Sequence, residues 1–176
     1  MNPEVLDRFE TAGRTAAATV ERIPRSPDAL AAALSRATSG AKRVLFADPE
    51  DLPAELFASF LETVKPIVKP TEEELRCSEI GVTEAFAGVM RTGSVCISVN
   101  HGMNGPMSLL APYQIAVLAA ENLVPSPRDL FSPQYLEGKG LTRDFVFVTG
   151  PSATADMGPL VRGVHGPHKL HIVLLT

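Results

Sequence analysis

Four short apolar runs constrain this fold more than any other feature of the chain. They occupy residues 95–99, 115–119, 145–149 and 171–175, and they read VCISV, IAVLA, FVFVT and HIVLL. Each is too short for a buried helix, and Gly and Pro punctuate the chain around them. Run 145–149 stops at Gly150-Pro151, and run 171–175 follows Gly166-Pro167-His168. Near-continuous apolar runs with such boundaries suit interior strands covered on both faces. Residues 43–47 read the same way and turn at Asp48-Pro49. Residues 64–68 suit a short returning strand, which Pro66 confines to an edge.

Helical patterning fills the intervals. Val5, Leu6, Phe9, Ala12, Ala16 and Val20 line one face of a helix predicted over residues 3–22, which meets Pro24. Ser26 caps a second helix that begins at Pro27 and ends before Gly40. A third spans residues 52–61. Thr71 opens an acidic helix start, and Ser126-Pro127 begins another helix. Strands alternating with helices predict βαβ units with right-handed crossovers. The expectation is one α/β domain over residues 25–176, with a mostly parallel sheet flanked by helices. Residues 1–24 read as a helical appendage that packs on the domain or on a partner.

Composition narrows the function classes. The 176 residues suit a single domain with a substantial core. Net charge is -4, with both signs interspersed and no basic block, so no nucleic-acid footprint is expected. Trp is absent and aromatic residues are few, which leaves base-stacking platforms poorly supplied. No apolar run reaches membrane-spanning length and the polar N-terminus lacks a signal-peptide core, so no membrane insertion and a cytoplasmic location are expected. Cys77 and Cys96 are the two cysteines. They fall short of the four thiolates an iron–sulfur cluster normally takes. Cys96 reads as a buried structural thiol within an apolar run.

Three stretches carry a resemblance. GPSATADM at 150–157, followed by GVHGPHKLHIVLL at 163–175, resembles the C-terminal signature of the LUD-domain family, named for lactate utilisation. Within it the chain is most similar to the lactate utilisation protein C (LutC or YkgG) type. GVTEAFAGVMRTGSV at 81–95 is similar to the family's glycine-rich stretch ending in Ala-Glu-Thr-Gly-Thr. Ser108-Leu109-Leu110-Ala111-Pro112 before run 115–118 is similar to the family's proline-marked entry into a strand. The resemblance implies a fold of the NagB/RpiA/CoA-transferase-like type. It also implies an accessory role in using lactate or a related hydroxyacid, beside iron–sulfur oxidoreductase subunits that carry the redox centres. Two positions depart from the family pattern: Arg91 stands where Glu is usual, and so does Gly158.

The polar residues near strand ends are the candidate ligand contacts, because ligands of open α/β sheets bind there. Gly150, Ser152 and Thr154 have the residue types of an anion-receiving loop, with Asp156 and His165 close by. The same residues suit a turn and helix cap held by Asp156. Arg91, Thr92, Gly93 and Ser94 offer a cation beside backbone and hydroxyl donors, suited to a carboxylate or phosphate. Thr83 and Glu84 approach from the glycine-rich run. A small anionic metabolite held in a strand-end cleft is therefore the alternative function, with catalysis open. His165, His168 and His171 are spaced by three, but Gly166 and Pro167 argue against a shared helical face, so no metal is expected. No other cofactor is implied. Residues 101–106, from His101 through Asn104, read as an exposed turn.

Overall fold

The computed structural model describes residues 2–99, 102–133, 135, 144–156 and 158–176. Its first helix, α1 (Pro3–Thr15), begins where the Asn2 side chain accepts the Glu4 amide and Pro3 sets the first turn. It ends a turn and a half before the apolar pattern does. Ala17 takes a left-handed φ of 64°, and Thr19–Ile23 leave as strand β1. The β-branched Thr19, Val20 and Ile23 suit a strand better than a helix, and tertiary pairing settles the matter. Residues 3–23 thus supply a helix and a strand to the same packed core that the rest of the chain builds.

After β1 come α2 (Pro27–Ala37), β2 (Val44–Phe46), α3 (Ala58–Val64) and α4 (Glu72–Arg76). Ser26 caps α2 through the Ala29 amide at 3.3 Å, and Thr71 and Glu74 cap α4 reciprocally. The helix expected over residues 52–61 is split into a 3-10 turn, Ala54–Phe57, and then α3. Residues 64–68 contribute only a bridge between Leu45 and Ile67. Strands β3 (Ile80–Ala85), β4 (Ala87–Val89) and β5 (Ser94–Ser98) follow. Next are α5 (Asn104–Leu110), β6 (Tyr113–Ala119) and β7 (Leu123–Val124). The helix expected after Ser126 is a 3-10 turn, Pro127–Phe131. Strands β8 (Phe145–Val148), β9 (Ala153–Thr154), β10 (Val161–Arg162) and β11 (Lys169–Leu175) complete the described elements. Of the turn expected at 101–106, His101 lies outside the described residues and Asn104 opens α5, 2% exposed.

The main sheet has the order β1-β11-β6-β3-β2, and every neighbouring pair is parallel. β3, at its centre, interrupts its apolar residues with Gly81, Thr83 and Glu84, which hid it from periodicity. A smaller sheet, β7-β4-β5-β8, lies over one face of the first. Core packing follows from this layering. α2, α3 and the 3-10 turn before α3 cover one face through Leu30, Leu34, Phe57 and Phe60. On the other face Leu6 and Phe9 of α1 pack with Val95 and Ile97 of β5 against Ala116, Leu118, Ile172 and Leu174. α5 closes that face beside β2 and β3 through Met107.

One expectation is overturned in kind. The run 145–149 reads as an interior strand, yet among the described residues β8 is the edge of the smaller sheet, with Val146 and Phe147 exposed. Its continuous apolar run reflects two uses. Phe145 and Phe147 join an aromatic cluster with Phe86 and Phe131, while Val148 packs towards the main sheet.

Candidate functional site

The structure distributes the candidate residues over three places. Arg91, Thr92, Gly93 and Ser94 form the turn between β4 and β5, and this turn seats the end of α1. Gly93 has a φ of 67°, and a Cβ there would stand 2.1 Å from the Gly13 nitrogen. Gly150 does the same at the C-cap of α1, with a φ of 70° and a would-be Cβ 1.8 Å from the Ala16 carbonyl oxygen. Both glycines are needed for close approach of helix backbone, which fills the space a ligand would take. Ser94 is 2% exposed and joins a hydroxyl chain, 2.6 Å from Thr92 and 2.7 Å from Thr149. Arg91 and Thr92 border a separate groove of about 700 Å³, shared with Asp7, Arg8 and Thr11 of α1.

Ser152 and His165 lie on a different surface. They sit at the polar end of a groove of about 860 Å³ between β8 and α5. One wall is the run from Val146 to Ala153, and the other carries Leu109, Leu110 and Val99. The Ser152 amide donates to the Pro167 carbonyl at 2.9 Å, and the Gly163 amide donates back to the Ser152 carbonyl at 2.9 Å. Those bonds fix the Ser152 backbone and leave its hydroxyl as the group it can offer. Size and lining match those of ligand sites, which are apolar with few polar groups.

Thr154 and Asp156 stand on the β9–β10 hairpin, where they border a recess of about 320 Å³ that His165 also touches. Thr154 Oγ1 donates to Asp156 Oδ2 at 2.9 Å. This is an internal turn bond of the kind that short polar residues build. Gly158 lines the same recess.

Glu84 ends β3 and is 5% exposed. Its carboxylate accepts the amides of Glu50 (2.5 Å), Asp51 (3.1 and 3.2 Å) and Leu52 (2.7 Å). Burial raises its pKa, the three amides pull it back, and the Asp51 charge adds to the rise. A carboxylate so engaged organises the loop after β2, so its acid/base capacity is directed at backbone. Sequence singled out Glu84 only as part of a glycine-rich run; neither its strand nor its amide partners were visible, since Glu50–Leu52 lie 32 to 34 residues away. The Leu109, Leu110 and Val99 wall was likewise missed, because exposed apolar residues carry no motif.

His171 starts the buried part of β11. Its Nδ1 lies 2.7 Å from Thr19 Oγ1 and its Nε2 lies 3.4 Å from Glu21, which also binds Arg36 at 2.5 Å. Burial lowers its pKa, partly offset by Glu21. Among the described residues no three His, Cys, Asp or Glu side chains gather as a metal would require. No helix among them is long and apolar enough to cross a membrane.

Comparison with known proteins bears on this arrangement. The family model described as LUD domain matches residues 25–175. The chain belongs to the LUD domain family. It is 33% identical over 99 residues to lactate utilization protein C of Halalkalibacterium halodurans, covering 54% of this chain and 43% of that protein. It is 30% identical over 119 residues to lactate utilization protein B of Bacillus thuringiensis, covering 65% of this chain and 24% of that protein. The matched part is thus less than half of either relative. A crystal structure of a DUF162 family protein from Deinococcus radiodurans superposes with a TM-score of 0.67 at 19% identity, over 98% of this chain and 97% of that one. That likeness supports the single α/β architecture. Residues 81–95 fall on the β3–β5 region, and the segment from Gly150 to β11 supplies Gly150 to Ala153 and His165 to Pro167 to the lining of the β8–α5 groove.

Proposed function

We propose that this LUD-family chain is an accessory component of lactate or related hydroxyacid utilisation, working in the cytoplasm beside iron–sulfur oxidoreductase subunits. The observation that carries the reading is the pair of similarities, to a protein named for each of the B and C components. Two cysteines, one of them wholly buried, are too few for a four-thiolate cluster of the chain's own. The groove between β8 and α5, an apolar cleft without a fixed acid/base pair, suits binding better than turnover. The cationic Arg91 faces a different groove from Ser152 and His165, and Thr154 and Asp156 bond to each other. A small metabolite anion would therefore meet few of the candidate residues at once. Deleting the gene and measuring growth on lactate, with affinity purification of the full chain from lactate-grown cells, tests the reading. Impaired growth and a co-purifying iron–sulfur subunit are expected. Normal lactate oxidation with no redox subunit recovered would refute it.

A further inference from the structure

We propose that the free edge of β8 accepts an extended, uncharged segment of a partner protein as an added strand of the smaller sheet. β8 pairs with β5 alone, and nothing among the described residues takes its other side. The hydrogen-bond phase shows which groups that side presents. The Val99 amide donates to the Asp144 carbonyl at 2.8 Å, and the register continues through Ser98↔Phe145 to Ile97↔Val146. Pairing alternates along an antiparallel ladder, so Val146 and Val148 turn their N–H and C=O groups to β5. Those of Phe145 and Phe147 point away from it.

The groove follows this edge. It touches Val146, Phe147 and Val148 of β8 in succession and continues along the following segment to Ala153. A groove lying over one face of a strand would touch alternate side chains, so this one runs along the backbone edge. Its far wall supplies side-chain pockets: Leu109 and Leu110 are 56% and 51% exposed. An edge that offers main-chain bonds beside apolar pockets is the arrangement that binds peptides by strand addition.

Charge and area choose the occupant. Among the described residues no Lys, Arg, Asp or Glu lines the groove, so a charged segment would lose hydration there without a partner. The exposed apolar side chains around it amount to a patch on the order of 400 Å². A stable two-chain interface takes about 800 Å² from each partner, so the patch is half of what a dimer needs. The four-residue edge of β8 calls for one added strand of about five residues, roughly 17 Å long. The surface stands on geometry alone; only the idea that a redox subunit donates the strand rests on the function proposed above.

The test uses the full chain and a dye-labelled eight-residue peptide alternating valine and threonine, with its lysine tail outside the paired region. Saturable anisotropy is expected, weakened about tenfold or more by Leu109→Lys and abolished for the fully N-methylated peptide, which has no N–H to donate. Phe147→Pro, which removes an outward N–H while sparing the β5 ladder, should act likewise if circular dichroism shows it folded. Absence of saturation at millimolar peptide would overturn the proposal. Equal binding of the N-methylated peptide would overturn it too, by showing mere apolar adhesion. So would a concentration-dependent dimer that Leu109→Lys dissolves, since a second copy would then fill the groove. None of these outcomes depends on lactate growth or co-purification, so the surface and the function can fail separately.

Discussion

Replacing Gly93 and Gly150 with alanine, singly and together, probes how firmly α1 is held. Each alanine would have to keep a left-handed φ, 67° or 70°, at roughly 1 kcal/mol. Each would also drive a Cβ into the backbone of the same helix end, 2.1 Å from the Gly13 nitrogen or 1.8 Å from the Ala16 oxygen. Neither contact can be relieved by turning a side chain, so α1 must move. Moving it fully would expose Phe9 and Leu6, now 0% and 9% exposed. At about 2 kcal/mol for each side chain, that caps the clash cost near 4 kcal/mol. A partial shift costs about 2 kcal/mol, the middle of the overpacking range, so each single variant should lose about 3 kcal/mol. Once α1 has shifted for one alanine, the second adds little beyond its own strain. The double variant should therefore lose about 4 kcal/mol, some 2 kcal/mol less than the sum. The chain has no Trp, so equilibrium unfolding in guanidinium chloride is best followed by far-ultraviolet circular dichroism. Single losses below about 1 kcal/mol, or strict additivity, would show that the two glycines do not seat one rigid element.

Glu84→Gln leaves one acceptor oxygen and an NH₂ group facing the amides of Glu50, Asp51 and Leu52, and should cost about 2 kcal/mol at neutral pH. Because burial raises the Glu84 pKa, its proton-linked stability is complete below the ordinary carboxylate value and is lost as pH rises through the raised one. The gap between wild type and Glu84→Gln should therefore narrow from pH 4 to pH 7 in denaturant titrations; a widening gap would contradict the assignment. His171 has a lowered pKa, so its contribution is present above the ordinary histidine range and disappears as pH falls through the lowered value. Proton NMR should show it titrating below an exposed histidine, and Glu21→Gln should lower it further by removing a stabilising negative charge; a rise in that variant would refute the pairing. Burial pushes the Cys96 thiol up to about 12, whereas Cys77 is exposed. A thiol reagent should label Cys77 in the native protein and reach Cys96 only on unfolding; two fast thiols would refute the burial.

Parallel-sheet architecture was legible because its strands carry their own boundaries. β6 and β11 are buried on both faces and appear as unbroken apolar runs, as such strands must. β3 is as deeply buried, but Glu84 reaches back to the loop after β2, Thr83 pairs with Gln114 at 3.1 Å, and Gly81 admits α5. Each polar residue answers a distant partner, so no local pattern marks the strand. The boundary near Thr15 fails for a related reason. Residues 16–20 continue a helical face, but Val20 is drawn into the sheet by its register with Ile172. Edge and centre are also indistinguishable locally: β8 has the composition of an interior strand because its phenylalanines stack on one another.

The candidate residues, gathered into one cleft by the sequence reading, lie in three places in the structure. Sequence placed Gly93 and Gly150 among ligand-cradle glycines because positive φ and a missing Cβ are what such loops require. Those properties say that something approaches the backbone closely, without saying what. Here the visitor is the end of α1, supplied by residues 3–15, outside the stretch of 25–175 that the family model matches. Gly93 and Gly150 are thus accounted for by a helix end far from both in sequence. Residues left over by that accounting, Ser152 and His165, share a groove whose other wall carries leucines and which borders β8, a strand paired on one side only among the described residues. With no Lys or Arg among the described residues of its lining, that groove has little with which to hold a carboxylate. It has main-chain groups along one edge and apolar side chains along the other, and that chemistry recognises a strand.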